Sequence, residues 1–270
     1  MYILFVKPFR VHPDQALSEP RKIRQGYTVE TVDPLRVEDV SFSYRRGVPA
    51  LRNVSLALRP AEIVGLVGAN GSGKSTLIKT IFDLVKTSSG TIELAGVGHR
   101  LAAAKQHGLL LPSEDYLPEF LTGSEYLAHL HQLYDLPLSV TEIEELFDRF
   151  SMPHREYDLI EDYSHGMRKK VQLIAAFMLR RPFTAIDETL NGIDFDGLRI
   201  SERHIRQMRA DGLTILLCSH DFSLLERSAD RIILMSSGEI LGSFATAEIL
   251  AEHRTLYSFV DQKLPIREPA

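Results

Sequence analysis

Residues 63–76 read IVGLVGANGSGKST, and this stretch decides the fold. The apolar run at its start is typical of a strand that is buried on both faces. Residues 68–75 match the pattern G-x-x-x-x-G-K-[ST], and the residues that follow, TLIKTIFDLV, place apolar side chains at helical spacing. The sequence therefore predicts a strand, a glycine-rich loop and a helix in succession, an order in which backbone N–H groups can surround a phosphate.

The residue types of this loop suit the phosphates of a nucleotide. Glycines let successive N–H groups turn toward phosphate oxygens without interference from a Cβ atom. The lysine can reach the β- and γ-phosphates, and the hydroxyl after it can ligate Mg²⁺. The predicted nucleotide-binding residues are Gly68, Ala69, Asn70, Gly71, Ser72, Gly73, Lys74 and Ser75, the last also as a metal ligand. The alternative is a glycine-rich turn that only packs against its neighbours.

Two further apolar strands end in residues that suit phosphate chemistry. FTAIDE, residues 183–188, closes with Asp187 and Glu188. A carboxylate at a strand end beside a phosphate loop can hold Mg²⁺, and the next one can polarise a water in line with the γ-phosphate. The run TILLCSHD places His220 at the end of the other strand, and we expect it at the same edge of the sheet. The alternatives are a solvent-facing acidic turn and a structural histidine.

Strand-like and helical patterns alternate at both ends of the chain, with a mostly helical block over residues 116–180 that opens with EFLTGSEYLAHLHQLY. This order is typical of an α/β core with a helical insertion rather than of two domains in series. We expect a loosely ordered extension over residues 1–34, one domain over 35–245 with a helical subdomain at about 112–180, and a short tail over 246–270 that starts with a short helix.

The composition excludes several classes of protein. The formal net charge of -5 over 270 residues argues against sequence-blind nucleic-acid binding, which needs a basic face. The one cysteine, Cys218, leaves no internal disulfide and is expected in the core. No apolar run approaches the roughly 20 residues that span a bilayer, and no signal peptide is recognised. His129 and His131 would point apart on a helix, so no metal pair is expected there.

The order of the motifs resembles that of the nucleotide-binding subunits of ABC (ATP-binding cassette) transporters. Tyr44 precedes the first core strands, and Walker A, a loop into a helical subdomain, YSHGM at the place of the LSGGQ signature, Walker B with its glutamate, the D-loop NGID and a switch histidine follow. The resemblance runs from about Leu35 to Gly242, and P-loop kinases share only its first motif. It implies a P-loop NTPase core with an antiparallel β subdomain and an inserted helical signature subdomain.

The resemblance also implies a second nucleotide contact, on the helix that begins within EDYSHGMRKKVQ, residues 161–172. In the family, two such domains dimerise head to tail, and each ATP lies between the Walker A of one and the signature helix of the other. Ser164 and Gly166 would then meet the γ-phosphate that the partner holds. Lys169 and Lys170 are predicted to lie on a solvated helix face.

Further roles follow from the same resemblance, residue by residue. ATP with Mg²⁺ is the implied ligand, and loss of the γ-phosphate on hydrolysis would loosen the dimer and drive transport. The implied roles are adenine stacking by Tyr44, phosphate and Mg²⁺ binding by Lys74, Ser75 and Thr76, Mg²⁺ binding by Asp187, general-base catalysis by Glu188, a γ-phosphate contact by His220 and a dimer contact by Asp194.

The chain departs from the family's pattern at several positions. Ser113, followed by Glu114, stands where the family has the Q-loop glutamine, and a serine is too short to reach the magnesium shell unaided. Thr189 replaces the proline after the catalytic glutamate. The replaced signature residues are Tyr163, His165 and Met167. ATP binding is expected to survive these changes, and a lower turnover rate is expected.

The function that the resemblance favours is the ATPase subunit of an exporter of drug, antibiotic or bacteriocin-like cargo, because YSHGMRKKVQLIAA is more similar to such proteins than to LSGGQ-rich importers. The expected partners are separate integral-membrane permease subunits and a second ABC ATPase subunit, on the cytoplasmic side of the cell membrane, and no nucleic acid. The alternatives are a weakly or non-hydrolysing regulatory cassette and a soluble ABC ATPase that remodels other assemblies.

The contact with the membrane partner is expected within residues 113–134, where the family receives a coupling helix. The apolar candidates are Phe120, Leu121, Tyr126 and Leu130. The alternative is that most of these side chains pack within the helical subdomain.

Overall fold

The structure is a computed structural model that describes residues 32–45 and 47–264. The extension predicted for residues 1–34 lies outside the described residues except for positions 32–34. Residues 265–270 of the predicted tail also lie outside them. Among the described residues, none of the helices combines the length and the apolar character that a bilayer crossing requires.

The described residues form ten strands and nine α-helices. The strands are β1 (Leu35–Arg45), β2 (Val48–Leu58), β3 (Ile63–Val67), β4 (Ser89–Leu94), β5 (Val97–Gly98), β6 (Gly108–Leu111), β7 (Phe183–Asp187), β8 (Thr214–Cys218), β9 (Arg231–Ser236) and β10 (Glu239–Ala245). The helices are α1 (Lys74–Ile81), α2 (Ala102–Lys105), α3 (Gly123–Leu133), α4 (Val140–Arg149), α5 (His165–Leu179), α6 (Phe195–Ala210), α7 (Phe222–Ser228), α8 (Thr246–His253) and α9 (Leu256–Lys263). Short 3-10 turns lie at Arg155–Tyr157 and Ile160–Asp162.

Two sheets organise the chain. The central sheet has the order β10-β9-β3-β8-β7-β6, in which β10 pairs antiparallel with β9 and the other neighbours are parallel. Every residue of β3, β7 and β8 is buried, which is why these strands are unbroken apolar runs in the sequence. The second sheet, in the order β2-β1-β4-β5, is antiparallel. The predicted α/β core with an antiparallel β subdomain is confirmed.

The register of the central sheet brings the predicted site residues to one edge. β3, β8 and β7 are parallel neighbours, and Cys218 of β8 lies opposite both Leu66 of β3 and Asp187 of β7. The phosphate loop after β3, the carboxylate that ends β7 and His220 after β8 therefore leave the sheet on the same side. Open parallel sheets bind their ligands at this carboxyl edge.

Helices α3, α4 and α5 form the helical block, and a shared apolar cluster that includes the fully buried Phe147 and Phe150 packs them together. The first of these helices begins at Gly123, later than the apolar spacing from residue 119 predicts. The hydroxyl of Thr122 accepts the N–H of Glu125, and the Glu125 carboxylate accepts the N–H of Thr122. This capping box fixes the start of α3, and spacing alone does not reveal it.

The two lysines near the start of α5 are buried, which corrects the predicted solvated face. Lys169 and Lys170 are each 5% exposed. The Nζ of Lys170 donates to the carbonyl oxygen of Phe150 at 2.9 Å and to Oδ2 of Asp194 at 2.6 Å. A buried ammonium needs such partners, and both lie on other elements where sequence spacing cannot place them.

The hairpin of β9 and β10 turns at Ser237 and Gly238, as predicted, with φ angles of 49° and 83° that suit a type I′ turn. The N–H of Gly238 donates to the carbonyl oxygen of Ser72, and its own carbonyl accepts the N–H of Arg52, both at 2.8 Å. A Cβ atom at Gly238 would lie 2.7 Å from the carbonyl oxygen of Ala50. This turn therefore connects the phosphate loop to β2 of the antiparallel sheet.

Two helices follow the hairpin. The first, α8, confirms the predicted short helix, whereas the sequence analysis does not predict α9. Leu256 and Phe259 of α9 are buried, and the hydroxyl of Thr255 caps the helix by accepting the N–H of Ser258. The apolar residues Leu256, Phe259 and Val260 cover little more than one turn of this eight-residue helix, which is too short a pattern to indicate a helix from the sequence.

Candidate functional site

The loop after β3 has the backbone of a phosphate cradle. Gly73 has a φ of 107°, a conformation that residues with a Cβ rarely adopt, and a Cβ there would lie 2.8 Å from the carbonyl oxygen of Ala50. Gly73 is the N-cap of α1, and because it has no side chain it leaves the first N–H groups of the helix without a side-chain acceptor. The first turn of α1 also contains no acidic residue. Both features favour an anion at this helix start.

Lys74 reaches back across the loop. Its side chain is buried, and Nζ donates to the carbonyl oxygen of Gly68 at 2.7 Å and to that of Ala69 at 3.3 Å. The ammonium thus lies over the concave side of the loop, where phosphate oxygens would compete for it as stronger, charged acceptors.

Asp187 is a buried carboxylate, 4% exposed. Burial raises its pKa, the neighbouring Cys218 thiol and Ser75 hydroxyl oppose the rise, and the negative charges of Glu188 and Glu114 add to it. Its Oδ1 atom is buried without a hydrogen-bond partner in the part of the chain that the structure describes. Buried polar atoms are rarely left unpaired, and a Mg²⁺ ion held by Ser75 and Asp187 would pair this one, so the residues present fit the metal.

Cys218 lies beside this carboxylate and is buried, as predicted, at 1% exposed. Burial and the neighbouring Asp187 raise the pKa of the thiol well above its usual range. The thiol is therefore neutral and lies within 4.8 Å of the carboxylate, and a neutral thiol is a poor nucleophile.

Glu188 and His220 form a pair at the same edge. Oε1 of Glu188 lies 2.9 Å from Nε2 of His220, and both side chains are partly exposed. Glu188 has a φ of 55° in the left-handed region, and its N–H donates to the carbonyl oxygen of Cys218 at 2.9 Å. Such backbone strain clusters at functional sites, where the surrounding structure holds it. The pair can accept a proton from a water and share it between carboxylate and imidazole.

Tyr44, near the end of β1, is 60% exposed. Its hydroxyl lies 3.3 Å from Oγ1 of Thr76, and its ring meets Phe42 edge-on at 4.8 Å between centroids. The ring is thereby held next to the start of α1 while one face stays open, as stacking on a base requires.

The signature residues lie at the start of α5, separate from this cluster. Ser164 is the N-cap, and its Oγ accepts the N–H of Met167 at 3.3 Å. Gly166 lies close to the loop after β7, because a Cβ there would be 3.3 Å from the carbonyl oxygen of Gly192. Within the described residues, neither Ser164 nor Gly166 has a hydrogen bond or ion pair to residues 68–76.

Asp194 has partners within its own chain. It is the N-cap of α6, where Oδ1 accepts the N–H of Gly197 at 2.8 Å, and Oδ2 pairs with the Lys170 ammonium at 2.6 Å. The hydrogen bond from Lys170 is the main cause that lowers the pKa of Asp194. Its predicted contact across a dimer interface stays a prediction.

The segment after β6 has contacts that the sequence analysis misses. The hydroxyl of Thr189 donates to the carbonyl oxygens of Leu111 and Pro112, both at 3.1 Å. Nε2 of Gln172 donates to the carbonyl oxygen of Glu114 at 3.1 Å. One feature of the sequence indicates these contacts: Thr189 stands where the family has proline, and it adds a hydroxyl that proline lacks. The segment that replaces the Q-loop is therefore fastened both to the residue after Glu188 and to α5.

The predicted membrane-partner residues separate into two groups. Tyr126 and Leu130 are buried in the helical block, Leu121 is half-buried against it, and Phe120 is 74% exposed. Tyr116, which the sequence analysis does not name, is 77% exposed on the same segment. Packing thus accounts for most of the predicted residues, and the exposed aromatics lie just before α3.

Comparisons with known proteins agree with this geometry. Residues 51–191 match the family described as ABC transporter. The uncharacterized ABC transporter ATP-binding protein YdbJ of Bacillus subtilis (strain 168) is 30% identical over 194 residues, which are 70% of this chain and only 62% of YdbJ. The linearmycin resistance ATP-binding protein LnrL of the same organism is 30% identical over 211 residues, 77% of this chain and 68% of its own length. A solved structure of an ATP binding subunit of an ABC transporter is 27% identical, covers 85% of this chain and 99% of its own, and has a TM-score of 0.77.

Proposed function

The chain belongs to the ABC transporter family, and from this premise we propose that it binds and hydrolyses ATP as the motor subunit of an exporter whose membrane subunits are separate chains. The observation that carries the proposal is the buried Oδ1 of Asp187, which has no hydrogen-bond partner among the residues that the structure describes. It lies at the sheet edge that also holds the phosphate loop and the Glu188–His220 pair. The domain division at residues 34, 112, 180 and 245 is part of the same proposal.

We assign the nucleotide-binding steps to residues of this edge. Tyr44 stacks on the adenine, and the N–H groups of residues 68–76 surround the phosphates. Lys74 exchanges the two loop carbonyls for the β- and γ-phosphates. Ser75 and Asp187 hold Mg²⁺, which when bound neutralises charge on the β- and γ-oxygens.

Glu188 acts in the hydrolytic step. Its carboxylate orients a water in line with the γ-phosphate and accepts the proton that the water loses. His220, 2.9 Å from that carboxylate, is placed to contact the γ-phosphate and to keep Glu188 oriented. The left-handed backbone of Glu188 supports this role, because such strained conformations cluster at functional sites.

The active unit is a head-to-tail dimer in this proposal. Ser164, Gly166 and the start of α5 meet the γ-phosphate of the ATP that the second subunit holds. The exposure of Ser164, and the first turn of α5 without an acidic residue, support an anion there. Loss of the γ-phosphate removes the ligand that both subunits share, and the dimer loosens as the stroke of transport.

The test of hydrolysis is steady-state phosphate release by the unaltered chain and by Glu188→Gln. We expect a decrease of about 10²- to 10⁴-fold, the usual contribution of a positioned base. Glu248→Gln is the matched control, because Glu248 is exposed in the first turn of α8, which follows β10 at the opposite edge of the sheet. Equal rates for the Glu188 variant and the unaltered chain, after contaminating ATPases are removed, would refute the proposal.

Export is supported by the similarity to a resistance protein, and the membrane partner by the exposed aromatics. Replacing Phe120 or Tyr116 with aspartate should abolish co-purification with multi-spanning membrane proteins from solubilised membranes of the host. Tyr257→Asp, at another exposed aromatic on α9, is the control. Unchanged co-purification would mean that the contact with the membrane partner lies elsewhere on the chain.

A weakly or non-hydrolysing regulatory cassette is the second candidate, and Ser113 favours it. Its hydroxyl donates to the neighbouring Glu114 carboxylate at 3.1 Å instead of extending to the metal site. ATP binding without measurable turnover in the unaltered chain would select this candidate. A soluble ABC ATPase outside transport would instead purify without membrane proteins.

A further inference from the structure

His165 is the first residue of α5 and replaces a glycine of the family's signature. Its side chain is 61% exposed, and Nδ1 lies 2.8 Å from Oδ2 of Asp115. The ring also lies near the loop after β7, since a Cβ at Gly192 would be 3.7 Å from its Cδ2 and 3.8 Å from its Nε2. Three segments therefore meet at this ring: the loop after β6, the start of α5 and the loop after β7.

The contact with Asp115 decides what the other ring nitrogen can do. A carboxylate offers only acceptor atoms, so the hydrogen lies on Nδ1. Nε2 is then an acceptor when the imidazole is neutral and a donor when it is protonated. The γ-phosphate of ATP presents acceptor oxygens, so Nε2 can bind it only as part of the charged ring. In the charged form the ring can donate to the Asp115 carboxylate and to the phosphate at the same time.

Other charges around the ring have partners of their own. Within the described chain, the Arg168 guanidinium on the same helix pairs with Glu119, and Asp194 beyond Gly192 pairs with Lys170. The Glu114 carboxylate on the loop after β6 accepts from Ser113. On the loop after β7, Glu188 pairs with His220. The remaining charged groups on these segments are Glu161, Asp162 and the buried Lys169. Asp115 is thus the charge in direct contact with the imidazole.

We propose that His165 is an additional γ-phosphate-binding residue, which acts on the ATP held by the second subunit and makes the ATP-bound dimer tighter at acidic than at alkaline pH. The inference rests on the head-to-tail dimer of the proposed function. A glycine at this position offers only its backbone N–H, whereas His165 adds a charge-assisted donor that Asp115 holds in place.

A purely structural ion pair is the competing explanation. An exposed pair of this kind contributes little to stability, and its loss would lower the melting temperature of the monomer slightly. It would leave the pH dependence of ATP-driven dimerisation unchanged. The pH dependence of the dimer dissociation constant therefore distinguishes a phosphate-binding histidine from a purely structural ion pair.

The experiment uses the full chain with Glu188→Gln, so that ATP is not consumed, and measures the dimer dissociation constant with Mg-ATP by analytical ultracentrifugation. Imidazoles titrate between about pH 5 and 8, so the range runs from about pH 6 to about pH 8.5. With His165 intact, we expect the dimer dissociation constant to increase about tenfold from the acidic to the alkaline end of this range. His165→Gly gives the baseline, because it keeps the titration of ATP itself and removes that of the ring.

Two more variants sharpen the test. His165→Lys should give a tight dimer whose affinity is nearly independent of pH, because its charge persists over the range. Asp115→Asn should weaken the dimer at acidic pH, because a neutral amide oxygen is a weaker acceptor than the carboxylate and holds the ring less firmly. His165→Asn replaces His165→Gly if the glycine variant fails to fold, as judged by melting temperature and ATP binding of the monomer.

The outcomes distinguish a failure of the His165 inference from a failure of the proposed head-to-tail dimer. If His165→Gly has the same pH profile as the parent, His165 does not bind the phosphate and the inference is wrong. If no variant forms ATP-dependent dimers at any pH, the proposed head-to-tail function itself is overturned, and the inference with it.

Discussion

The starts of α1 and α5 are both suited to phosphate, and they are built in opposite ways. At α1, the N-cap Gly73 has no side chain, the loop surrounds a concave space, and Lys74, Ser75 and Asp187 line it from within the same chain. At α5, Ser164 caps the helix with its own hydroxyl and is exposed. The first set of residues lies together within one chain, whereas Ser164 has no hydrogen bond or ion pair to that set among the described residues. In the proposed dimer, a second subunit would bring the phosphate that the start of α5 binds.

The largest effect should come from the site at the start of α1. Lys74→Ala should weaken ATP binding to the monomer by about a hundredfold, because a hydrogen bond between charged groups contributes about 1.5–3 kcal/mol. Titration with a fluorescent ATP analogue, at protein concentrations too low for dimers, measures it. Lys86→Ala, at an exposed lysine beyond α1, should bind like the unaltered chain. An undiminished affinity for the Lys74 variant would show that the loop is not the nucleotide site.

The start of α5 should respond differently. Ser164→Ala should leave the ATP affinity of the monomer within about twofold and lower phosphate release about tenfold, because one hydrogen bond from a hydroxyl to the charged, shared phosphate is lost in the dimer. The change also removes a helix cap, which costs about 1 kcal/mol. Ser139→Ala removes the corresponding cap of α4 and is the matched control. A loss of monomer affinity similar to that of Lys74→Ala would erase the distinction between the two helix starts.

The smallest effect concerns the pair that joins α5 to α6. Asp194→Asn should lower the free energy of unfolding by less than about 1 kcal/mol at neutral pH, because Asp194 is well exposed even though Lys170 is buried. Lys170 holds the pKa of Asp194 below its usual value. The ion pair therefore stabilises the fold fully above the ordinary aspartate pKa of about 3.9, and this stabilisation is lost as the pH falls through the lowered pKa of Asp194.

Urea denaturation of both proteins at neutral pH and at about pH 3 tests this sign. The difference between them should shrink at the lower pH. A difference that grows instead would mean that Asp194 is stabilised by something other than its ionised pair with Lys170.

The sequence predicts the site at the start of α1 better than the start of α5, for a physical reason. Gly68 to Thr76 are continuous in the chain, and Asp187 and His220 end apolar strands whose parallel pairing brings them to one edge. The start of α5 depends on contacts between distant positions. His165 and Asp115 are 50 residues apart in the chain, and Lys170 reaches Asp194 across 24. Residue spacing carries no information on such pairs.

Element boundaries show the same limit. The helix start at Gly123 is set by side-chain hydrogen bonds within a capping box, whereas periodicity alone extends the helix earlier. Helix α9 has eight residues, and its apolar positions Leu256, Phe259 and Val260 span little more than one turn, which gives a weak signal. Both features become visible only when the partner atoms are in place.

The turn at Ser237 and Gly238 bears on where this chain could be cut. The last motif residue, His220, precedes β9, so a fragment ending before residue 231 would keep every motif of the site. It would lose the N–H of Gly238 that donates to Ser72, and the carbonyl that accepts from Arg52. The smallest autonomous nucleotide-binding fragment therefore extends through β10, and a circular permutant with its new ends at this turn would separate the phosphate loop from its support.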